Sequence, residues 1–510
     1  MKKKIYNLLF TLPLLFGAVS CLEKIPGDYV HTDDGMQTLT DAEETVNGIY
    51  TGLMSGALYS GYLVLCPDIQ ADLVYAVQGN SNTYGNIWQW DILSTNSEVG
   101  SVYAGLYSVI GCCNYYLDKV EALKASLIDD DQIASLDALT GEVHCARALC
   151  YSELVKCFCK AYDPATAANE LGVVLRTKYY EEEPAVRASL KDSYEFIISE
   201  LDAAVSLLDE EYSTYNAVYF NNAAAHALRA RVALNMQDWD KAIEESSFVI
   251  DSGIFTLASV KTKYSSTQTM LDFMWTGDAS YEIIMKLGYT STSYGSAQGS
   301  VFLNFNRDYT YYYPDFVPAA SVINSYDSSD GRYNAYFAEL QTGYSHALKW
   351  PLLVKYYGNS SLLQQNIFHV NMPKILRLAE QYLIRAEAYC RKGQYSKASA
   401  DRTTLRQSRY ISGGVASVNE ENWLDFSSAE RVRELFMEKL RAVAVRREMS
   451  HHRIPMMMQQ YRHLWRKRQD ILVIRMYGAV RHRPRALTVP ALYAGYLPTA
   501  AYTICHEQPH

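Results

Sequence analysis

After its first twenty residues the chain has no apolar run that reaches membrane-spanning length without charge or turn residues, which excludes a helix that crosses a bilayer. Its 27 glycines and 14 prolines among 510 residues are too few for a collagen-like chain, and 49% hydrophobic content excludes a disordered one. No G-x-S-x-G, H-E-x-x-H or G-x-x-x-x-G-K-[ST] stands in supporting context, so neither a catalytic motif nor a cofactor is implied. Ten cysteines are present without paired Cys-x-x-Cys knuckles. Cys112, Cys113, Cys145, Cys150, Cys157, Cys159 and Cys390 fall inside apparent helices, in a spacing unlike a disulfide framework. A zinc site at Cys145, Cys150, Cys157 and Cys159 would have His144 as its single imidazole; the competing reading is small buried thiols packing as hydrophobes.

The length exceeds what one core organises, so two or more regions are expected. The net charge of −9 hides an asymmetry: residues 441–510 hold 12 Lys+Arg and 3 Asp+Glu, leaving 35 and 53 for residues 1–440. An acidic body repels phosphate backbones, so no nucleic-acid partner is expected for it.

The N-terminus carries a first functional signal. Lys2, Lys3 and Lys4 precede an apolar run from Leu8 to Val19, followed by Ala18-Val19-Ser20-Cys21. The run is an export signal too short to span a bilayer, and small residues before a cysteine are a bacterial lipoprotein processing site. Cys21 would become the acylated N-terminus and tether the protein to a membrane, since several acyl chains anchor stably where one is marginal.

Helical periodicity dominates the first half and residues 370–440, with an internal echo. Arg229-Ala230 precedes Asp238-Trp239-Asp240-Lys241-Ala242, and Arg385-Ala386 precedes Gln394-Tyr395-Ser396-Lys397-Ala398 at the same offsets. Ile375, Leu378, Ala379, Tyr382, Leu383, Ala386, Tyr389 and Cys390 form one apolar stripe, and Gly393 supplies a left-handed turn residue that ends it. These pairs predict tetratricopeptide-like stacking, with a third, weaker copy in Glu142–Tyr151. Between residues 255 and 365 the periodicity fades into Tyr, Ser, Thr, Gly and Asn, which predicts loops with short strands. A second aromatic, polar segment at 79–100 carries Tyr84, Asn86, Trp88, Gln89 and Trp90. Flat rings flanked by amides suit sugars, whose C–H faces stack on π-systems while hydroxyls bond to Asn and Gln. The alternative is that Trp88 and Trp90 pin a long loop to the scaffold. In an extended segment the two would face the same side.

With these segments in view, the chain resembles the SusD/RagB family, surface glycan-binding lipoproteins of Bacteroidetes-type bacteria. The resemblance rests on Ala42–Tyr50, Asp68–Asp72, Val102–Tyr107 leading to Ile110 and Asn114, and Gly141-Glu142 with Arg147-Ala148 and Tyr151–Val155. It continues through Tyr194–Leu208, Asn222–Ala242, Met372–Tyr389 and Asp401–Arg406, and extends from the lipoprotein cysteine to about Met437. The resemblance implies a mainly α fold: a tetratricopeptide-like helical scaffold with a loop-rich insert containing short strands. It also implies an oligosaccharide or polysaccharide ligand, and a place at the outer face of the outer membrane as the lid of a SusC-like TonB-dependent barrel transporter. Binding is the implied activity, with no catalytic residue. Some relatives handle peptides, so a peptide ligand stays open. Within the 79–100 segment, Tyr84, Asn86, Trp88 and Trp90 are the candidate ligand contacts. The expected division is a signal peptide at 1–20, an N-terminal helical region at 21–254, a region with the insert and helical repeat at 255–440, and an atypical basic tail at 441–510.

A glycan-processing enzyme is the rival reading. It needs two carboxylates held across a cleft, and Asp68 and Asp72 are the candidate pair, sharing one face if helical. The same residues suit N-cap or salt-bridge duty in the scaffold. The tail departs from the family: residues 441–510 carry 11 of their 12 basic charges as Arg and six of the chain's 11 histidines. Relatives continue there with an Arg-Trp-Tyr-Asp-Leu-like segment. So abrupt a change of usage points to a reading-frame shift near Lys439, which would remove the native C-terminal packing elements. The alternative is a basic segment binding anionic lipid or nucleic acid.

Overall fold

The computed structural model describes residues 35–77, 82–179, 185–305 and 310–438, without the side chains of 345–348. Cys21, the signal segment and the 441–510 tail lie outside the described residues. Among the described residues, nine helices of thirteen residues or more carry the architecture: α1 Leu39–Leu53, α2 Ser97–Ser126, α3 Asp130–Phe158, α4 Leu190–Leu207, α5 Asn222–Met236, α6 Trp239–Asp251, α7 Leu378–Arg391, α8 Tyr395–Arg409 and α9 Trp423–Leu435. The starts of the first six are written in the sequence. Asn96, Asp129, Ser189, Asn221 and Asp238 each accept a hydrogen bond from a first-turn N–H, and Thr38 forms a capping box with Asp41 at α1. None of the described helices is long and apolar enough to cross a membrane.

Each long helix packs on the next, α1 on α2 and so on to α8, and α9 packs on α7. The two echoed pairs are α5–α6 and α7–α8. Although 126 residues separate α6 from α7, α7 lies directly against α6. The intervening segment is therefore looped out of a continuous helical stack. The predicted left-handed turn is present at Gly393, with φ 69°, and Gln237 takes the same conformation at the matching position of the first copy, with φ 63°. The arginine of each Arg-Ala pair ties its helix to neighbours. Arg147 binds Glu200 at 2.7 Å, Arg229 binds Asp202 at 2.7 Å and Glu245 at 3.5 Å, and Arg385 binds Asp401 at 2.7 Å and Asp251 at 3.3 Å. The adjoining Ala148, Ala230 and Ala386 are fully buried, because a methyl group lets helix backbones approach closely. The weaker third copy on α3 thus belongs to the same series.

The looped-out segment builds a second core. Leu271, Met274, Trp275, Phe302, Phe316, Tyr336, Phe337 and Trp350 pack there with Leu65, Ile69, Val74 and Ile87 from the N-terminal part and Phe436 and Met437 from the C-terminal end. Among the described residues, eight short strands pair as antiparallel ribbons: β1 (Val74–Ala76) with β5 (Phe316–Pro318), β2 (Leu171–Val174) with β3 (Arg187–Ser189), β4 (Ile283–Lys286) with β8 (Lys374–Arg377), and β6 (Phe337–Thr342) with β7 (Ser345–Leu353). The mainly α scaffold with a loop-rich insert and short strands is thus the observed architecture.

Insert and scaffold are joined by buried charge. Glu430, Glu434 and Glu438 recur every four residues, and their carboxylates meet three guanidiniums that are at most 2% exposed. Arg332 reaches Glu430 at 2.7 Å and Glu434 at 3.0 Å, Arg377 reaches Glu438 at 2.7 Å and Glu434 at 3.1 Å, and Arg409 reaches Glu434 at 2.8 Å. Arg377 and Arg409 both also hold Glu282. Although burial opposes its charge, the guanidiniums, Arg332 foremost, hold the Glu430 carboxyl down at about 2.

Candidate functional site

Residues 82–91 do not form the extended segment expected from sequence. Gly85–Trp88 is a single helical turn entered through Tyr84 in the left-handed region, and Trp90 is left-handed again, with φ 58°. The premise that alternation would place Trp88 and Trp90 on one face therefore fails, because the chain between them is not a strand. Trp88 is half-buried against the second core and donates its indole N–H to the Val74 carbonyl at 3.2 Å, locking the loop onto β1. Tyr84 packs edge-on against Tyr62, ring centroids 5.7 Å apart, and burial pushes its phenol well above the ordinary range. Ile87 is buried beneath them.

Solvent meets the other side of the loop. Asn86, Gln89 and Asp91 are exposed, and Trp90 is half-buried among them in sequence. The Asn86 carbonyl accepts from the Asp91 N–H at 2.9 Å, closing the turn. The four predicted contacts thus divide: Tyr84 and Trp88 hold the loop, while Asn86 is exposed and Trp90 is half-buried. An amide and a carboxylate beside a ring can hydrogen-bond and stack on a polyol.

The carboxylate pair of the enzyme reading does not form. Asp68 lies in the helix Tyr62–Gln70 with no exposure, and Asp72 lies beyond that helix in the left-handed region, φ 59°. The one-face premise fails with the helix end, and Asp68 is closed to solvent, so it cannot reach a bond in a bulk glycan. A cavity of about 60 Å³ lies between scaffold and insert, lined among others by Trp275, Gln298, Lys374, Arg377 and Glu380. It is far below the ~300 Å³ at which ligand pockets begin, so this cavity does not enclose a sugar. Cys113, Cys145, Cys150 and Cys390 are buried thiols. Burial pushes Cys113 and Cys145 up strongly and Cys390 to about 11, which keeps them protonated.

A group of exposed rings was not singled out by sequence. Tyr212, Tyr215 and Tyr219 in the α4–α5 connection are exposed, as is Tyr281 just before β4. Three tyrosines in eight residues was the available signal; the fourth comes from 62 residues on and no local pattern announces it.

Residues 28–234 match a SusD-like family model described as "Starch-binding associating with outer membrane". The chain is 25% identical over 419 residues to SusD-like protein P2 of Formosa agariphila, covering 76% of this chain and 77% of that one. It is similar to a solved SusD superfamily protein from Bacteroides thetaiotaomicron, with a TM-score of 0.68, 23% identity, and coverage of 80% of this chain and 89% of that one. It is also similar to a putative sugar binding protein from Bacteroides vulgatus, with a TM-score of 0.67, 25% identity, and coverage of 81% and 87%. By fold, then, this is a helical-repeat scaffold like that of the solved SusD superfamily protein. Over residues 28–234 the chain is similar to the SusD-like family, which is described as associating with the outer membrane.

Proposed function

We propose that the chain is a surface lipoprotein, anchored through acylated Cys21, that holds an oligosaccharide and passes it uncleaved to a SusC-like TonB-dependent barrel transporter. The observation that carries this reading is the division of labour in the 82–91 loop. Tyr84 and Trp88 fix its backbone, and Asn86, Gln89 and Asp91 are left exposed with part of Trp90. A loop already rigid before ligand arrives loses little freedom on binding. The starch-binding description of the matching family supports a carbohydrate over a peptide, and the closure of Asp68 supports binding over hydrolysis.

The test is a neutral-glycan array probed with the purified full chain, followed by mass analysis of the best-bound oligosaccharide after incubation. Binding with the glycan recovered intact is expected. Trp90→Ala and Asn86→Ala are expected to weaken it about tenfold each, or ~1.4 kcal/mol, with the thermal midpoint retained. Shorter products would contradict the non-catalytic reading, and failure to co-purify with a barrel expressed from the neighbouring gene would contradict the transporter partner.

A further inference from the structure

We infer that Tyr212, Tyr215, Tyr219 and Tyr281 form a second saccharide-stacking surface, separate in sequence from the 82–91 loop. This rests on the reading of the chain as a carbohydrate binder. All four rings are exposed, from 39% at Tyr215 to 77% at Tyr212. Tyr215 and Tyr281 stand with centroids 4.2 Å apart and planes tilted by 43°. Tyr219 rests edge-on against Tyr50, centroids 5.1 Å apart.

The backbone beneath these rings is fixed at several points. The Asn216 N–H donates to the Ile283 carbonyl at 2.6 Å, and the Lys286 N–H donates to the Ala217 carbonyl at 2.9 Å. The Phe220 N–H donates to the Tyr50 hydroxyl at 2.8 Å, the Asn221 amide to the Thr214 carbonyl at 3.2 Å, and the Ala223 N–H to the Ser213 hydroxyl at 3.1 Å. On the other side the Thr256 N–H donates to the Tyr281 carbonyl at 3.1 Å. A connection tied down this thoroughly could have buried its rings; it displays them instead. Exposed aromatic clusters of this kind mark interaction surfaces.

The chemistry selects the occupant. Every large exposed apolar side chain in the 209–220 segment is a tyrosine, a flat π-face with a hydroxyl at its rim, which pairs with a ring that is C–H on its faces and O–H at its edge. Asp209, Glu210 and Glu211 are exposed beside Tyr212, and three carboxylates repel a phosphate headgroup or a sulfated chain. The ligand class that fits is a neutral oligosaccharide lying along the rings.

The experiment compares the full chain with Tyr215→Ala/Tyr281→Ala and Tyr215→Phe/Tyr281→Phe double variants on the same neutral-glycan array, with maltoheptaose titrated separately, and records thermal midpoints and sedimentation. The alanine variant is expected to lose about tenfold in affinity for the longer glycans at an unchanged midpoint, and the phenylalanine variant to keep most of it. If the parent binds and the alanine variant binds equally well, this inference falls while the Trp90 surface stands. If sedimentation or barrel co-purification changes and glycan affinity does not, the surface belongs to a protein partner and the inference falls. If the parent binds no glycan at all, both readings fall together.

Discussion

His369 offers a test of the second core that reads directly in pH. It sits in the left-handed region at φ 63° and is 5% exposed. Its ring is 4.8 Å from Phe305, its Nδ1 is 3.2 Å from the Tyr357 carbonyl, and its Nε2 is buried with no hydrogen-bond partner among the described residues. A proton on Nε2 would be a buried charge without a partner, and burial lowers the pKa from 6.5 to about 4. The unfolded chain takes up a proton near pH 6.5 that the folded chain refuses until about pH 4. Between those values the unfolded state binds more protons, so stability rises with pH and is lost on acidification. At about 1.4 kcal/mol per pH unit the full effect is ~3 kcal/mol, of which ~2 kcal/mol appears between pH 7 and pH 5. His369→Asn keeps a residue that tolerates positive φ and removes the titration. Urea unfolding of both proteins at pH 7 and pH 5 should show the parent losing ~2 kcal/mol more than the variant. Parallel losses would refute the buried, neutral imidazole.

Three further outcomes follow from the geometry. Glu434→Gln removes the carboxylate shared by Arg332, Arg377 and Arg409; leaving buried guanidiniums underpaired should cost about 3–5 kcal/mol by denaturant unfolding. The same cluster should weaken in acid, because Glu430 titrates at about 2 in the fold against 4.5 unfolded; its contribution is complete above pH 4.5 and disappears as pH falls towards 2, seen as a drop in thermal midpoint across that window. Gly393→Ala, at the left-handed position matched by Gln237 in the other helix pair, should lower stability by ~0.5–1 kcal/mol in denaturant unfolding.

The parts of the fold legible in sequence are those whose physics is local. The Arg-Ala pairs and Gly393 lie within one or two turns of what they control, so the α5–α6 and α7–α8 pairs could be read directly. That α7 would land on α6 could not be read, since the contact crosses the whole insert. The buried ionic cluster was half legible: Glu430, Glu434 and Glu438 recur every four residues, but Arg332, Arg377 and Arg409 come from three separate elements. At the candidate site, the aromatic and amide residues were visible as a composition. Their conformation was not, because two positive-φ residues, Tyr84 and Trp90, turn the chain where side-chain type gives no warning. The same limit hid Tyr281, brought to Tyr215 by the parallel contact of Ala217 with Met285.

The central claim is that this scaffold holds a sugar and does not cut it. Isothermal titration of the purified full chain with the best oligosaccharide from the array, followed by mass analysis of the same sample, tests it most directly. Saturable binding weakened by Trp90→Ala, with the oligosaccharide mass unchanged, is the predicted result. A flat titration across the neutral glycans, or fragments of the oligosaccharide in the recovered sample, would contradict it.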